Sequence, residues 1–516
     1  MKLVQGSLLD DLLLSGQSKD GETSTKVGKK AETKTNISSK DEKDAKRPTK
    51  STRIEQSREE LRKNAVSQHV EHLNDVVLPF EKRVDWKKKY DDTVLTSEFI
   101  QILNLIEYTK RNIFISGVAG TGKSTLLSLF KLNTSKPYVI LAPTGIAALN
   151  VGGSTIHSFF RFPAKLLMKD GSDIHYNKRR QKIYQRLELV IIDEISMVRA
   201  DILDGIDYLL RMYQDASLPF GGVQLVCFGD VLQLPPVVNG KNMTEYFENN
   251  YGGPYFFNAD SYLGGRFVYA ELTKNFRQKD ADFINILNKV RYNEVNQDVL
   301  DRLNARYDPL GNRGENVLTL CTTNNISAEI NETKMAELKT KVFSYEANID
   351  GEFDSKYYPT EPTLVLKDGA QIMMIKNDPE GRWVNGTIGK VRDLKAEQVS
   401  VEIAGKIYNL ERYKWELTEY VYDPETNTVT STVIGSFTQY PLQLSWAITI
   451  HKSQGQTYSN VNINLGRGAF APSQVYVALS RCRTLEGITL QTKITRRDIF
   501  IDRNVKDFIA QNRLSA

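Results

Sequence analysis

A glycine-rich segment, GVAGTGKST at 117–125, limits what this chain can fold into more than any other feature. An apolar run, IFI at 113–115, precedes it, and a second run, LLSLF at 126–130, follows it, which predicts a strand, a turn and a helix. The pattern G-x-x-x-x-G-K-[ST] in that setting is typical of a phosphate-binding loop. Glycines let the backbone curl closely around an anion, and the N–H groups at the start of the following helix then point at it.

The side chains of this loop have expected tasks. Lys123 would reach the terminal phosphates of a nucleotide, and the Ser124 hydroxyl would hold Mg²⁺. The residues that we expect to contact the nucleotide are Gly117, Gly120, Thr121, Gly122, Lys123, Ser124 and Thr125. A glycine turn before an ordinary helix is the alternative, and the complete pattern with both flanks argues against it. Taken alone, the motif indicates a nucleotide-binding protein of unspecified kind.

The composition describes a globular protein with several domains. At about 150 residues per domain, 516 residues correspond to roughly three domains. No apolar run reaches the roughly 18 residues that a membrane span needs, so we expect no such span. The net charge of +5 is too small to argue for nucleic acid by itself. The three cysteines, Cys227, Cys321 and Cys482, are widely spaced, as in reduced intracellular proteins.

Residues 1–90 differ from the rest of the chain. From 15 to 50 the sequence is largely Lys, Asp, Glu, Ser, Thr and Gly, which bury too little apolar surface to offset the entropy of ordering, so we expect a disordered N-terminal extension. Its apolar island, LVQGSLLDDLLL at 3–14, is either a frayed amphipathic turn or a short peptide that docks on a protein partner. No signal-peptide pattern is present, so we expect an intracellular location, cytoplasmic and nucleoid-associated in a prokaryote or virus and nuclear in a eukaryote.

Residues 91–264 are predicted to form a RecA-like α/β unit. Short apolar runs alternate there with helical patterns, which is typical of a parallel sheet that is buried on both faces. These runs lie at 113–115, 138–142, 189–192 and 223–228. The segment 161–186 interrupts the alternation with a basic stretch, KRRQK at 178–182, and is predicted to be an insertion.

Polar residues follow two of these predicted strands. Asp193 and Glu194 end one of them; there Asp193 would hold Mg²⁺ through water, and Glu194 would orient and deprotonate the attacking water. Gln233 comes just after the next strand, where its amide would sense the γ-phosphate. A small-residue turn beyond the carboxyl end of a parallel strand is also where open α/β sheets bind ligands.

The second half of the chain resembles the first with an interruption. Residues 265–341 and 441–516 carry strand and helix patterns of a second α/β unit. Between them, residues 342–440 are rich in Val, Tyr and Thr with closely spaced turn signals such as KDG at 367–369 and NG at 385–386. Short strands at such spacing predict a small antiparallel barrel that is inserted in the second unit.

Seven motifs in this order resemble those of a superfamily 1B helicase, most closely the PIF (petite integration frequency) DNA helicase family, which is similar to RecD-type helicases. They are GVAGTGKST, APTGIAALNVGGSTIHSFF, VIIDEISMV, FGDVLQLPP, LTKNFRQ, WAITIHKSQGQT and YVALSRCR. The resemblance covers about 95–490. It implies two RecA-like P-loop NTPase domains, a small wedge in the first and a Src-homology-3-like β-barrel in the second. It also implies ATP-driven 5′–3′ translocation on single-stranded DNA with unwinding of duplex, in DNA repair, recombination, replication or telomere maintenance.

The resemblance assigns roles to residues that match the motifs. It implies that Lys123 contacts the phosphates and that Ser124 and Asp193 hold Mg²⁺. It implies that Glu194 is the general base. It gives Gln233 to the γ-phosphate, and it implies that Arg277 and Arg481 cross the cleft as arginine fingers. Guanidinium groups from a second domain stabilise transition-state charge only when the cleft is closed, so hydrolysis would be coupled to domain movement.

DNA contacts follow less directly from the resemblance. In the first domain they would be Thr144, Thr155, His157 and Phe160, and in the second His451 and Ser453. Phe160 is equally well placed to be a core residue, and the basic stretch at 178–182 is either a wedge that faces the fork or a solvated loop. The expected partners are single-stranded DNA and forked or tailed duplex, and we expect the protein to act as a monomer.

One position departs from the family pattern. A glutamine that reads the adenine edge stands upstream of the loop in many members, whereas Phe99 occupies that place here and Gln101 is out of phase with it. Nucleotide selectivity therefore stays open. Two alternatives to a helicase also stay open: a DNA-stimulated translocase that displaces bound proteins, and a non-catalytic DNA-binding scaffold.

Overall fold

The computed structural model describes residues 71–73, 76, 95–118, 120–238, 240–276, 280–312, 314, 316–423 and 428–512. All of them belong to one unit, Pro48–Ala516. The predicted docking peptide at 3–14, most of the predicted N-terminal extension and the predicted finger Arg277 lie outside the described residues. Within the described ranges, no helix combines the length and the apolar character that crossing a bilayer requires.

Six parallel strands form the first sheet. In chain order they are β1 (Ile113–Gly117), β2 (Tyr138–Ala142), β3 (Ser154–Thr155), β4 (Leu189–Ile192), β5 (Gln224–Gly229) and β6 (Val268–Leu272). Their order across the sheet is β3-β2-β4-β5-β1-β6, and every pairing is parallel. The helices around them are Ser97–Tyr108, Lys123–Lys131, Gly145–Val151, Ile156–Phe160, Gln181–Arg186, Ala200–Tyr213, Lys241–Tyr251 and Asp260–Gly264.

The apolar runs of the sequence explain this sheet. Because successive side chains of a strand point to opposite faces, Phe114 packs in one hydrophobic cluster while Ile113 and Ile115 pack in another. Each cluster is closed by helices, so the central strands are buried on both sides and tolerate no polar face. The strands predicted at 113, 138, 189 and 223 are all present, and the prediction of an α/β protein with a parallel sheet is confirmed.

A second parallel sheet has four strands. They are β7 (Leu318–Cys321), β18 (Ala447–Thr449), β19 (Val461–Asn464) and β20 (Ile488–Leu490), in the order β18-β7-β19-β20. The later helices are Ala281–Arg291, Gln297–Asn304, Asn324–Glu337, Gln474–Leu479 and Arg503–Asn512. The second sheet has its own hydrophobic cluster, to which Leu318, Ile463 and Tyr476 belong.

The last helix packs where the sequence did not indicate. We predicted 441–516 within the second α/β unit, yet Val505 and Phe508 of the helix Arg503–Asn512 belong to the cluster of the first sheet. The ring of Phe508 stacks on Phe257 with centroids 4.3 Å apart. The sequence of an amphipathic helix at a chain end does not indicate which of two cores the helix covers, because its apolar stripe can pack on the core of either sheet.

Antiparallel strands fill the predicted insertion. In chain order they are β8 (Val342–Glu346), β9 (Asn348–Gly351), β10 (Thr363–Lys367), β11 (Gln371–Met374), β12 (Ile388–Lys395), β13 (Gln398–Ile403), β14 (Lys406–Leu410), β15 (Tyr413–Asp423), β16 (Thr428–Gln439) and β17 (Leu442–Leu444). They pair in the orders β14-β13-β12-β11-β17, β15-β16-β9 and β10-β8. The turn-rich pattern thus did indicate antiparallel pairing here.

Part of the segment predicted as a disordered extension packs against the first sheet. The Glu71 carbonyl accepts a hydrogen bond of 2.9 Å from the Tyr269 N–H, and His72 forms a parallel bridge with Tyr269 on the edge strand β6. His72 is 8% exposed, and Leu73 and Val76 pack against the cluster beneath. The expectation of an unpacked tail is therefore wrong for these residues, since they cover a sheet edge and bury apolar side chains.

We predict that these few residues contribute measurably to stability. A chain that begins at residue 71 should keep the melting temperature of the full chain. A chain that begins at residue 95 should melt about 2–5 °C lower, because it loses the edge pairing and the apolar burial of this segment. Differential scanning fluorimetry of the three chains measures this, and equal melting temperatures for all three would contradict it.

Candidate nucleotide and nucleic-acid site

Two glycines of the phosphate loop leave no room for a side chain, and one of them also has a left-handed backbone. Gly122 has φ +87°, and a Cβ there would lie 2.9 Å from the ring of Phe99. A Cβ at Gly117 would lie 2.5 Å from Oγ1 of Thr121, whose hydroxyl donates to the Val118 carbonyl at 2.9 Å. The loop is therefore a tight turn that is closed by its own hydrogen bonds, as the motif predicted.

Lys123 begins the helix Lys123–Lys131 and turns back over the loop. Its Nζ donates to the carbonyls of Gly117 at 2.6 Å and Val118 at 3.3 Å. Desolvation lowers its pKa, and the carboxylates Asp230, Glu194 and Asp193 act in the opposite direction. Next to it on the same helix, Ser124 and Thr125 are exposed at the positive end of the helix. These residues thus present cationic and polar groups at one edge of the sheet.

Asp193 and Glu194 directly follow β4, so they lie at the carboxyl edge of the same sheet. Glu194 has a left-handed backbone, φ 52° and ψ 44°, which is strained for a residue with a Cβ. Desolvation and the neighbouring Asp193 charge raise the pKa of Glu194 to about 7, while Lys123 and Arg481 lower it. Desolvation raises the pKa of Asp193 as well. A carboxylate with a pKa near neutrality is suited to be a general base.

Gln233 is buried just beyond β5. Its side-chain N–H donates to the Asp230 carboxylate at 3.4 Å, and its backbone N–H donates to the Asp230 carbonyl at 2.9 Å. Leu234, the next residue, is fully buried and belongs to the hydrophobic cluster of the second sheet. The loop that carries the predicted γ-phosphate sensor is therefore attached to both sheets.

Arg481 comes just after the helix Gln474–Leu479 of the second unit. We call the region between this segment and the carboxyl edge of the first sheet, where Lys123 and Glu194 lie, the seam. Arg481 is 1% exposed, and its charge acts on Glu194, which places its guanidinium near the carboxyl edge of the first sheet. Its Nε donates to the Val477 carbonyl at 3.0 Å, and one of its terminal nitrogens donates to the Ser453 carbonyl at 3.3 Å. In this conformation the guanidinium of the predicted finger is held by backbone carbonyls of the second unit.

The other predicted finger, Arg277, lies outside the described residues. Its neighbour Phe276 is described, and the Phe276 N–H donates to the Gly120 carbonyl of the phosphate loop at 2.9 Å. A Cβ on Gly122 would lie 3.7 Å from the Phe276 ring. The segment that leads to the predicted finger therefore contacts the loop directly.

Phe99 supports the loop from below. It is 2% exposed, and Thr96 caps its helix by accepting a hydrogen bond of 3.2 Å from the Phe99 N–H. Gln101 is exposed two residues further along, in agreement with its being out of phase. The Phe99 side chain therefore offers packing to the loop and no polar group that could read a base edge.

The predicted DNA contacts of the first sheet begin the short helices after β2 and β3. Thr144 is exposed and caps the helix Gly145–Val151, and Thr155 caps the helix Ile156–Phe160. His157 is half-buried on that second helix. Phe160 is 2% exposed and stacks with Tyr184 at 6.0 Å, so of its two interpretations the core position is the one that the structure supports.

The antiparallel strands lie over this region. The Thr155 hydroxyl is 3.2 Å from the Tyr357 hydroxyl, and the Ser154 hydroxyl donates to the Thr418 carbonyl at 3.0 Å. Thr155 is 6% exposed as a result. The predicted DNA contacts after β3 are thus partly covered by the insertion in this conformation.

Two arginines of the 161–186 segment strengthen this contact. Arg161 and the buried Arg180 both form ion pairs with Glu419 on β15. Lys178 and Arg179 are exposed beside them. Arg180 therefore forms a buried contact within the protein, whereas Lys178 and Arg179 face solvent. Exposure of these two residues is compatible both with a wedge at the fork and with a solvated loop.

In the second sheet, His451 and Ser453 follow β18. His451 is half-buried, and desolvation lowers its pKa. Ser453 is 0% exposed and its hydroxyl donates to the Ile450 carbonyl at 2.7 Å, so its hydroxyl is already used inside the protein. In this conformation the carbonyl of Ser453 helps to position Arg481. The burial of its hydroxyl does not support the predicted DNA contact.

Sequence reasoning missed several residues of the site. Asp230 and Arg291 form a buried ion pair of 3.0 Å beside Gln233, and Tyr357 and Glu419 contact from the insertion the segments that were predicted to bind DNA or form the wedge. Asp230 stands in the FGD motif at 228–230, which is a usable signal. The other three belong to distant segments whose meeting no local pattern predicts.

The donor set fits Mg²⁺ held mainly by a nucleotide. Among the described residues no three His, Cys, Asp or Glu side chains cluster as a metal site. Mg²⁺ is usually bound through one or two protein oxygens together with substrate phosphates, and Ser124 and Asp193 at the sheet edge are such oxygen donors. Their chemistry suits that cation and does not suit zinc or copper.

Comparisons with known proteins agree with this geometry. A family model described as PIF1-like helicase matches residues 94–300. The ATP-dependent DNA helicase PIF1 of Homo sapiens is 36% identical over 389 residues, 73% of this chain and 58% of the human protein. The ATP-dependent DNA helicase Pif1 of Bdellovibrio bacteriovorus is 34% identical over 430 residues, 81% of this chain and 92% of that protein. The chain thus spans little more than half of the human relative and most of the bacterial one.

Solved structures of the Pif1 of Bacteroides sp are similar as well. The complex with ADP-AlF4 has a TM-score of 0.75 at 39% identity, and it covers 81% of this chain and 97% of that one. The same protein bound to ssDNA has a TM-score of 0.59 at 40% identity over the same shares of the two chains. The conformation described here is thus more similar to that of the ADP-AlF4 complex than to that of the ssDNA complex.

We predict that Glu194→Gln stops turnover and stabilises the protein. Loss of a general base should lower kcat for nucleotide hydrolysis by about 10²–10⁴-fold, and wild-type kcat should rise with pH through about 7 as Glu194 ionises. A folded-state pKa above the ordinary value means that ionisation costs stability as pH rises through it. The variant should therefore melt a few degrees higher than wild type at pH 8, and the difference should vanish near pH 4.

The matched control is Glu188→Gln, the same change at an exposed glutamate just before β4. It should alter neither kcat nor the pH dependence of the melting temperature. A Glu194→Gln variant that keeps wild-type turnover, or that melts lower at pH 8, would contradict the assignment.

Proposed function

The chain belongs to the PIF1-like helicase family, and from this membership we propose that it is an ATP-driven DNA helicase that moves 5′–3′ along single-stranded DNA. The observation that carries the proposal is the convergence of Lys123, Glu194 and Arg481 at one seam between two parallel sheets. ATP would bind the loop at 117–125, and duplex DNA would be separated as the seam opens and closes. Repair, recombination, replication or telomere maintenance are the pathways in which such an activity would serve.

The proposed chemistry uses groups that the fold already brings together. Glu194 would take the proton of the attacking water, Gln233 would contact the γ-phosphate, and Lys123 would stabilise the charge on the terminal phosphates. Arg481, and Arg277 from outside the described residues, would add positive charge from the second sheet. Ser124 and Asp193 would hold Mg²⁺, which supplies charge neutralisation on the phosphates when bound. Because Glu194 feels both Lys123 and Arg481, its basicity depends on the closure of the seam.

The proposed domain plan follows the two sheets. The first RecA-like domain is 91–264 with a wedge near 161–186, and the second is 265–341 with 441–516, apart from the last helix, which packs on the first core. We propose that 342–440 is a Src-homology-3-like barrel. We also propose that 1–90, apart from the packed residues at 71–73 and 76, is a disordered extension whose apolar peptide at 3–14 docks on a protein partner. We also propose that the protein acts as a monomer, inside the cell, on tailed or forked DNA.

DNA would enter over the helices that begin at Thr144 and Thr155. Hydroxyl and backbone N–H groups there would take phosphates, and His157 and His451 would face the strand from the two domains. Support comes from the exposed position of Thr144 and from the similarity to the Bacteroides Pif1 that is bound to ssDNA. Since Thr155 is covered by Tyr357, DNA binding along this path would require the insertion to move.

We expect unwinding of duplexes with a 5′ single-stranded tail and not of matched duplexes with a 3′ tail. A fluorescence-quenching strand-separation assay with ATP measures activity and polarity together. The control is Lys123→Ala, which should remove DNA-stimulated ATP hydrolysis while the protein stays folded, because the terminal phosphates lose their cation. Displacement of bound protein without strand separation would favour a translocase, and absence of ATP hydrolysis would favour a scaffold.

We expect Glu419→Gln to tighten binding of single-stranded DNA. The change removes the carboxylate that holds Arg161 and Arg180, so the insertion should leave the Thr155 region more easily, and the Kd for an oligonucleotide should fall by about 3–10-fold. Glu416→Gln is the matched control, since Glu416 is exposed on the same strand and pairs only with Lys414 at 3.8 Å among its described ion pairs. Equal affinity in Glu419→Gln and wild type, measured by fluorescence anisotropy, would contradict the expectation.

A further inference from the structure

A buried ion pair joins the nucleotide site to the second sheet. Asp230 directly follows β5 and is 0% exposed, and Arg291 ends the helix Ala281–Arg291, whose apolar face packs in the cluster of the second sheet. A terminal nitrogen of Arg291 lies 3.0 Å from the Asp230 carboxylate. Burial of an unpaired charge is strongly unfavourable, so each of these two groups holds the other in place.

Asp230 connects this pair to the predicted γ-phosphate sensor. One of its carboxylate oxygens accepts the side-chain N–H of Gln233 at 3.4 Å, and the other accepts the Leu232 N–H at 3.1 Å as well as Arg291. The orientation of the Gln233 amide is therefore fixed by a carboxylate that is itself fixed from the second sheet. Leu234 adds an apolar anchor for the same loop in the second cluster.

The same pair controls the charge around Lys123. Of the groups that act on the pKa of Lys123, Asp230 is the leading charge, and Arg291 opposes it. Without Arg291, the Asp230 carboxylate would attract Lys123 and repel a γ-phosphate. Arg291 therefore offsets part of the Asp230 charge that acts on Lys123.

Arginine is specifically suited to this position. While one of its terminal nitrogens contacts Asp230, the other donates to the Tyr292 hydroxyl at 2.6 Å. A planar guanidinium reaches two such partners at once, whereas the single ammonium of lysine is a point charge. The helix Gln474–Leu479 closes the cluster with the buried Tyr476, whose hydroxyl is close enough to feel the charges of Asp230, Arg291 and Arg481.

We propose that Arg291 is a positioning residue for ATP hydrolysis. It holds Asp230, and through it Gln233, in the geometry that turnover requires, and it makes that geometry depend on the second sheet. The inference rests on the proposed function, since it takes Gln233 as the sensor of the γ-phosphate. Arg291 itself does not touch the reacting atoms in this account.

The test compares two variants with wild type in KM for ATP, kcat with and without single-stranded DNA, and melting temperature. Arg291→Lys keeps the charge and loses the second partner; its kcat should fall by about 10–100-fold, while KM stays within about threefold. The double variant Asp230→Asn with Arg291→Met leaves no unpaired buried charge, so it should fold, and its kcat should stay equally low. If the Asp230–Arg291 pair only stabilised the fold, the double variant, which removes both charges together, would have the wild-type kcat.

A second buried pair supplies the control. Asp207 and Arg211 are 0% exposed on the helix Ala200–Tyr213, where they hold the backbone at Ala216 and Phe220. The double variant Asp207→Asn with Arg211→Met should change the melting temperature and leave kcat near the wild-type value in the folded protein.

Wild-type kcat in the Arg291→Lys variant or in the Asp230–Arg291 double variant would overturn the inference, and so would a raised KM with unchanged kcat. If single-stranded DNA fails to stimulate the wild-type protein, the proposed function is wrong, and kcat without DNA still decides the role of Arg291. Lys123→Ala sets the baseline of each assay.

Discussion

The structure depends on the gathering of charge at the carboxyl edge of the first sheet. Because β1, β4 and β5 run parallel and lie side by side, the residues that follow them meet at one place: Lys123, the pair Asp193 and Glu194, and Asp230. Desolvation at this edge, together with the charge of the neighbouring Asp193, raises the pKa of Glu194 to about 7. The parallel arrangement that buries the apolar runs thus also creates the base that the proposed chemistry needs.

This excess of negative charge explains why the second sheet matters to the first. The cations that balance it, Arg481 and Arg291, both come from segments that pack with the second cluster. An ordinary salt bridge on a surface contributes little, but charges in a desolvated seam interact strongly. Any change in the separation of the two sheets therefore changes the electrostatics at Glu194 and Lys123, which is a physical route from domain closure to hydrolysis.

The sequence predicted those parts of the molecule that depend on local patterns. The phosphate loop, the strands at 113, 138, 189 and 223, and the position of Glu194 after a strand all follow from short-range rules of turn chemistry and strand burial. It did not predict contacts between distant segments, such as Arg291 with Asp230, Glu419 with Arg180, or the packing of Phe508 on the first core. It also left open whether Phe160 faces a ligand or the core, since an aromatic residue serves equally well in both. The burial of Phe160 supports the core position, and the burial of Ser453 argues against the predicted DNA contact.

The two connections of the first sheet have opposite consequences for DNA. At the seam, Arg291 and Leu234 attach the second sheet to the nucleotide loop, so they favour one arrangement of the catalytic groups. At the other end of the sheet, Tyr357 and Glu419 attach the insertion over the helices where DNA would bind. A ligand shifts such an equilibrium only by its differential affinity for the two arrangements, so DNA would have to contribute enough binding free energy to release the Glu419 contacts. The antiparallel insertion would then respond to DNA and the seam to nucleotide. The affinities for the two ligands could therefore be controlled separately in one chain.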